Sequence, residues 1–195
     1  MGVPRILVFA GSARKEALSK RLARAAHAAL LTAGAQATLI DLADYPAPLY
    51  NGDDETASGV PPGITALLKV IIEHDGILIA TPEYNGSMTP LLVNTLDWLS
   101  RINATPEGPA GLAVLPTKPI AIVSSSPGPL GGLRSMFHLR DLLGYLGMLV
   151  LPQQLAVGRA NEAISPEGIL LDERQRGALQ RVAQALVDTV TKLKA

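Results

Sequence analysis

Cysteine is absent from the 195 residues, and aromatic and charged side chains are scarce. Without a thiol, the chain cannot form a disulfide, use a thiolate nucleophile or bind a metal through cysteine. Aromatic residues make up only 4% and charged residues 17% of the sequence, whereas hydrophobic residues reach 48%. This composition predicts a large buried core, with apolar surface left over for an oligomer interface.

The chain also lacks an excess of either charge, since 17 basic residues balance 17 acidic ones. Proteins that bind nucleic acid or anionic membranes normally carry a basic imbalance, so neither is expected as the main partner. The apolar run at residues 6–10 is too short for a signal sequence or a membrane span. We therefore expect a soluble, cytoplasmic protein.

Short apolar runs alternate with segments of helical periodicity along the chain. The predicted strands are 6–10, 37–42, 76–80, 119–124 and a fifth that starts at 148–151. The predicted helices are 18–33, 63–74, 88–102, 131–146 and 179–193. Two segments rich in proline and glycine, 43–62 and 105–116, are predicted as surface loops. The alternation predicts a single α/β domain over residues 1–195, a three-layer sandwich with a five-stranded parallel sheet.

The first loop of interest, residues 11–20, joins the first strand to the first helix. Free backbone N–H groups and the helix dipole favour a phosphate there. Ser12 and Ser19 can donate hydroxyl hydrogen bonds, and Arg14 can bind two phosphate oxygens at once. A dinucleotide fingerprint would need a second glycine at Ala13, and a Walker A loop would end in Gly-Lys-Ser/Thr, so a terminal monophosphate fits better. The alternative is a serine N-cap followed by solvated basic residues.

The second loop, residues 81–87, follows the third strand with the sequence Thr-Pro-Glu-Tyr-Asn-Gly-Ser. An aromatic ring, an amide and a carboxylate within four residues suit a flat, polar-edged ring system better than a metal or a peptide. A plain turn is the alternative, because Asn-Gly is a common turn dipeptide. However, a turn requires neither Glu83 nor Tyr84.

The third loop, residues 124–132, is composed almost entirely of small residues, Ser-Ser-Ser-Pro-Gly-Pro-Leu-Gly-Gly. Such residues let a ligand approach the backbone closely, although an ordinary flexible loop is equally compatible with them. The carboxyl ends of parallel strands meet at one edge of a sheet, so the three loops together offer a phosphate anchor and two polar walls. Flavin mononucleotide (FMN) requires such a set, which favours the doubly wound strand order 2-1-3-4-5 with FMN at its switch point.

These loops and the helix at 88–102 resemble the NADPH-dependent FMN reductase family, which includes bacterial chromate, quinone and azo-dye reductases. The matching motifs are Gly11-Ser12-x-Arg14, Thr81-Pro82-Glu83-Tyr84-Asn85-Gly86-Ser87-x-x-Pro90, Asn94-x-x-Asp97-Trp98 and Ser126-Pro127-Gly128-x-x-Gly131-Gly132. The whole length of the chain fits the flavodoxin-like fold of that family. Two positions depart from it, since Val93 replaces the usual lysine and Lys20 replaces an asparagine common among members.

The resemblance implies that FMN is bound by residues of all three loops. The residues that bind the phosphate would be Gly11, Ser12, Arg14, Ser19 and Lys20. The flavin ring would lie between two groups of residues. One group is Pro82, Glu83, Tyr84, Asn85 and Gly86, and the other is Ser125, Ser126, Gly128 and Gly131. Tyr84 and Asn85 would be nearest to the ring, Asn85 bonding its edge and Tyr84 shaping the face on which substrate stacks. Glu83 would order its own loop by accepting backbone N–H bonds.

On this basis we expect an NAD(P)H oxidoreductase with a ping-pong mechanism. NADPH or NADH would pass a hydride to the flavin, and a small-molecule acceptor such as a quinone, flavin, azo compound or metal oxyanion would then take the electrons. No metal is expected, because His27, His74 and His138 lie far apart on predicted helices. The first alternative is a flavodoxin-like electron carrier without reductase activity. The second, an α/β hydrolase, lacks its G-x-S-x-G motif.

The helix at 88–102 is apolar nearly all the way round. Such a helix is expected to be buried on more than one side. It therefore predicts a homodimer, or a dimer of dimers, with its interface near the flavin. A wholly intramolecular core around this helix is the alternative.

Overall fold

The computed structural model describes residues 2–195, in which a five-stranded parallel sheet is flanked by α-helices. The strands are β1 (Arg5–Ala10), β2 (Gln36–Ile40), β3 (Gly76–Thr81), β4 (Ile120–Ser125) and β5 (Val150–Val157). The helices are α1 (Leu18–Thr32), α2 (Gly52–Ser58), α3 (Pro62–Ile72), α4 (Pro90–Ser100), α5 (Gly111–Val114), α6 (Leu133–Tyr145), α7 (Ala160–Ala163) and α8 (Glu173–Leu193). The strand order β2-β1-β3-β4-β5 confirms the predicted flavodoxin-like topology.

The three central strands are apolar on both faces because helices cover both sides of the sheet. Every residue of β3 and β4 is buried, and in β1 only Arg5 is exposed. Along β1 the side chains alternate between two cores, with Ile6 and Val8 on one face and Leu7 and Phe9 on the other. Helices α1 and α8 complete the first core, and α3, α4 and α6 complete the second. The predicted three-layer arrangement is therefore correct.

Several predicted boundaries differ from the observed ones by two residues or more, and side-chain capping explains two of these differences. Strand β2 ends at Ile40, two residues before the predicted end, because Asp41 caps a 3-10 turn at Leu42–Asp44 and accepts the N–H of Ala43 at 3.0 Å. Helix α8 starts six residues earlier than predicted, because the Asp172 carboxylate accepts the N–H of Gln175 at 2.9 Å.

Both segments predicted as long loops contain a short helix. Helix α2 lies in the first, where Asn51 caps it by accepting the N–H of Asp53 at 3.0 Å. None of its residues is buried, so the apolar periodicity that reveals a helix in a sequence is missing. Helix α5 lies in the second segment, and α7 follows β5. Across residues 2–195, no helix combines the length and the apolar character needed to cross a membrane.

Helix α4 starts at Pro90. Thr89, the residue before it, caps the helix, because its hydroxyl accepts the N–H of Leu92 at 3.3 Å. Its buried residues are Leu92, Thr95, Leu96, Trp98 and Leu99. These residues are buried within one chain, as the intramolecular alternative expects. Leu91 and Val93 remain only partly covered.

Candidate functional site

The loops after β1 and β3 meet at the carboxyl end of the sheet. The N–H of Gly11 donates to the carbonyl of Ala80 at 3.0 Å, and the hydroxyl of Thr89 donates to the carbonyl of Gly11 at 2.6 Å. A Cβ placed on Gly11 would lie 3.4 Å from Pro82 Cδ. The first and second predicted loops are therefore in direct contact on the same rim of the sheet. We call residues 11–19, 82–86 and 125–131 the rim site.

The start of α1 offers donor groups that no other part of the described chain uses. Ala17 precedes the helix and provides no side-chain cap, so the N–H groups of Leu18 and Ser19 have no partner in the described chain, whereas that of Lys20 donates to the carbonyl of Ala17 at 3.0 Å. Ser19, in the first turn, is only 1% exposed, and its hydroxyl has no hydrogen-bond partner within residues 2–195. A buried polar group left without a partner costs about 1–3 kcal/mol. A phosphate at this helix N-terminus would satisfy these donors, so the residues fit that part of FMN.

The two predicted basic ligands of the first loop have different surroundings. Lys20 Nζ donates to the Asp41 carboxylate at 2.5 Å and to the carbonyl of Ala13 at 3.4 Å. Its charge is therefore already balanced, and its contacts join the loop to the end of β2. The side chain of Arg14 is exposed and makes no ion pair or hydrogen bond within the described residues. Of the two cations, Arg14 is the one available to an anionic ligand.

Asn85 and Gly86 form a two-residue turn at the tip of the second loop. The N–H and carbonyl groups of Tyr84 and Ser87 bond reciprocally at 3.0 Å and close it. The φ angles of Asn85 and Gly86 are 52° and 78°, the combination that a type I′ turn requires and that Asn-Gly favours. The turn interpretation is thus correct for these two residues, and it exposes 43% of the Tyr84 surface to solvent.

The Glu83 carboxylate binds the first turn of α6. One oxygen accepts the N–H of Arg134 at 3.1 Å and the N–H of Ser135 at 3.4 Å, and the other accepts Arg134 Nε at 2.9 Å. The hydrogen bond from the Arg134 guanidinium lowers the pKa of Glu83, although burial of the carboxylate opposes this effect. The sequence suggested that Glu83 orders its own loop, but its backbone donors belong to α6. No sequence motif pairs Glu83 with Arg134, so sequence reasoning missed this contact.

The third loop joins β4 to α6 and packs tightly against the end of β5. Gly131 has a φ of 64°, and a Cβ placed there would lie 2.6 Å from the backbone nitrogen of Gly158, so only glycine fits. The hydroxyl of Ser126 accepts the N–H of Gly128 at 3.1 Å. Ser125 is 1% exposed, and its hydroxyl has no partner in the described structure. A ligand with polar edges would satisfy this hydroxyl, as the phosphate would satisfy that of Ser19.

The Asn-x-x-Asp-Trp motif of α4 has a structural role outside the rim site. Asn94 Nδ2 and Trp98 Nε1 both donate to the carbonyl of Pro48 at 2.8 Å, and Asn94 Oδ1 accepts the N–H of Tyr50 at 2.7 Å. The motif therefore holds the segment that follows β2 against α4. A groove of about 800 Å³ lies beyond it, between α3, the end of α4 and residues 103–109, and none of its lining residues belongs to the rim site.

Comparison with known proteins gives consistent results. The sequence profile described as NADPH-dependent FMN reductase matches residues 4–162. An NAD(P)H-dependent FMN reductase of Pseudomonas aeruginosa is 38% identical over 157 residues, which is 80% of each chain. A quinone reductase of Escherichia coli K12 is 36% identical over 146 residues, covering 75% of this chain and 72% of the relative. The solved structure of FerB, a flavoenzyme NAD(P)H:(acceptor) oxidoreductase from Paracoccus denitrificans, matches with a TM-score of 0.80 at 27% identity and covers 97% of this chain and 98% of its own.

Proposed function

This chain belongs to the NADPH-dependent FMN reductase family, and from that premise we propose that it transfers electrons from NAD(P)H to a quinone by a ping-pong reaction. Its flavodoxin-like fold and its relatives identify it as an FMN-dependent oxidoreductase. Bound FMN supplies the hydride chemistry, and the protein supplies binding, orientation and electrostatics. The observation that carries the assignment of the site is the pair of buried serine hydroxyls, Ser19 and Ser125, that have no partner within residues 2–195.

The first loop is proposed to hold the FMN phosphate. The hydroxyl of Ser19 and the N–H groups of Leu18 and Ser19 would donate to it, and the helix dipole would favour its negative charge. Arg14 adds a cation that can bind two oxygens at once. Gly11 and Ser12 place the loop backbone beside the phosphate. Lys20 acts on the phosphate indirectly, through the loop: it donates to the carbonyl of Ala13, while Asp41 balances its charge.

The second and third loops are proposed to hold the ring as two walls. The first wall consists of Pro82, Glu83, Tyr84, Asn85 and Gly86, and the second contains Ser125, Ser126, Gly128 and Gly131. The amide of Asn85 and the hydroxyl of Ser125 would be the groups that hold the polar edge of the ring. The partly exposed ring of Tyr84 leaves an apolar face on which a flat acceptor can stack.

We choose a quinone as the acceptor because of the chemistry of the surface beside Tyr84. A quinone is planar, carries no net charge and can stack on an aromatic face, so it requires no dedicated charged ligand from the protein. We expect no side-chain nucleophile in the reaction, because the transfer of electrons passes through the cofactor. The name of the Escherichia coli relative supports the same acceptor class.

We also propose that the chain, a single domain, acts in the cytoplasm as a homodimer, or as a dimer of dimers, through α4 and its surroundings. The partly covered Leu91 and Val93, together with Ile72 and Ile102 in the groove beyond the far end of α4, offer apolar surface for a second copy. Sedimentation of the wild type and of Ile72→Asp tests this arrangement. A dimer that Ile72→Asp dissociates supports it, and a wild-type monomer at micromolar concentration contradicts it.

The central experiment is reconstitution followed by steady-state kinetics. The protein is saturated with FMN, desalted and examined for flavin absorbance, and NADPH and NADH oxidation is then followed with a soluble quinone. Retained flavin and parallel double-reciprocal plots support the proposal. A protein that keeps no flavin contradicts it. A protein that keeps flavin but does not oxidise NAD(P)H is an electron carrier.

A further inference from the structure

Helix α6 begins without a cap of its own. The residue before it, Gly132, has no side chain and a φ of 83°, and the first turn of the helix contains no acidic residue. The first N–H groups of any helix lack partners within the helix and must find them elsewhere. Here Glu83, from the loop after β3, accepts two of them with one carboxylate oxygen. The cap of α6 is therefore supplied by the opposite wall of the rim site.

We propose that Glu83 is a positioning residue that fixes the separation of the two walls, residues 82–86 and 125–131, and thereby sets the affinity and the potential of bound FMN. This inference rests on the proposed site. The Glu83 side chain is only 8% exposed, and the Arg134 guanidinium neutralises its carboxylate from the solvent side. Each oxygen has at least one donor from α6, so the contact is fixed in both distance and direction.

The packing beside this contact leaves little freedom for the walls. A Cβ placed on Gly132 would lie 3.1 Å from Ser124 Cβ and 3.6 Å from Glu83 Cβ, so the backbone after β4 passes directly against the second loop. The hydroxyl of Ser124 donates to the carbonyl of Gly131 at 2.7 Å and holds the turn at that position. A displacement of the first turn of α6 therefore moves the wall that contains Gly131.

The rest of α6 does not depend on Glu83. The buried side chains of Met136, Leu139 and Leu143 anchor the helix in the core against the sheet. Loss of the cap therefore changes the position of the first turn of α6 and of the loop before it, and the fold persists. This separates a positioning role from a role in stability alone.

The chain contains a matched control for this contact, because Glu55 and Arg101 form the same kind of pair elsewhere. Glu55 accepts Arg101 Nε at 2.9 Å, its side chain is 17% exposed, and the hydrogen bond from Arg101 lowers the pKa of Glu55. Arg101 follows the last residue of α4, about 18 Å along the helix axis from Thr89, which contacts Gly11. Glu55→Ala therefore removes a comparable ion pair, together with the hydrogen bond that the Tyr50 hydroxyl donates to Glu55 at 2.9 Å, at a distance from the rim site.

The test compares Glu83→Ala, Glu83→Gln and Glu55→Ala with the wild-type protein. FMN affinity is measured by flavin fluorescence, the FMN midpoint potential by dye equilibration, and the melting temperature on the apo-proteins. Glu83→Ala is expected to weaken FMN binding about tenfold, within the range of coupling between linked sites, and to shift the potential and the visible circular dichroism of the flavin. Glu83→Gln, which keeps an oxygen acceptor but loses the charge, is expected to lie between Glu83→Ala and the wild type. Glu55→Ala is expected to lower the melting temperature while leaving the FMN affinity unchanged.

Two results would overturn the inference alone, while the wild type still binds FMN. One is wild-type affinity and potential in Glu83→Ala, and the other is an equal loss of affinity in Glu55→Ala. If Glu83→Ala does not fold, Glu83→Gln decides, and an unaltered affinity and potential in that variant reject the inference. A wild-type protein that does not retain FMN would overturn both this inference and the proposed function.

Discussion

Replacing Ser19 by alanine should change apo-protein stability and FMN affinity in opposite directions. The hydroxyl is buried with no partner inside residues 2–195, and such a group costs about 1–3 kcal/mol in the folded protein. Its removal should therefore stabilise the apo-protein by about 1 kcal/mol, which raises the melting temperature of a chain of this size by about 2–4 °C. The holo-protein loses a hydrogen bond to a charged phosphate, worth about 1.5–3 kcal/mol, and the stabilised apo-protein adds about 1 kcal/mol to the cost of binding, so FMN binding should weaken about 60-fold to 800-fold.

Thermal denaturation without and with FMN, together with an FMN titration, measures both effects. Ser100→Ala is a suitable control, because the Ser100 hydroxyl already donates to the carbonyl of Asp97 at 2.6 Å and lies at the far end of α4. That control should lose a little stability and keep its FMN affinity. A Ser19→Ala protein that is less stable as apo-protein and binds FMN as tightly as wild type would refute the phosphate assignment.

Three further predictions concern the rim site. Arg14→Ala should weaken FMN binding by about tenfold or more, because charge-assisted hydrogen bonds are stronger than neutral ones. The melting temperature of the apo-protein should not change. An FMN titration checks the first expectation, and calorimetry of the apo-protein checks the second. The pKa of Glu83 is lowered in the folded state, so its contribution is complete above its unfolded pKa of about 4.3 and is lost as pH falls through the folded value. FMN retention should therefore show the same pH dependence between about pH 5 and 8 in the wild type and in Glu83→Gln, where the FMN phosphate itself titrates, and a transition in that window that Glu83→Gln removes would contradict the assignment. Gly131→Ala should lower the melting temperature and the FMN affinity together, because the new Cβ would lie 2.6 Å from backbone atoms and a φ of 64° disfavours alanine. Gly144→Ala is the control: nothing lies within 4 Å of a Cβ there, so neither quantity should fall.

The sheet could be predicted because its central strands are buried on both faces and so appear as unbroken apolar runs. The run at residues 6–10, for example, differs from the observed β1 only by Arg5. Helix α2 could not be found by the same means, since it buries no residue and leaves no periodic signal. Its cap, Asn51, was the available local signal, but a lone Asn-Gly is equally typical of a turn.

The meeting of the loops at the proposed site was predictable because they follow strands directly. Gly11, Pro82 and Ser126 come immediately after β1, β3 and β4, and parallel strands bring such positions to one edge. The contact between Glu83 and α6 was not predictable, because it joins residues 51 positions apart and depends on how the helix is placed. The surroundings of Lys20 were missed for the same reason, since its partner Asp41 lies at the end of a neighbouring strand.

The polar groups of the rim site make the apo-protein less stable than its packing would allow. Ser19 and Ser125 are both buried, and neither hydroxyl has a partner in the described chain, whereas the buried hydroxyls of Ser124 and Ser135 are both bonded to carbonyls. Local violations of good packing and bonding are expected at functional sites, where the ligand supplies what the fold leaves out. FMN should therefore stabilise the protein beyond the effect of its contacts with exposed groups such as Arg14. Replacing both serines by alanine should remove much of that gain while leaving the fold intact.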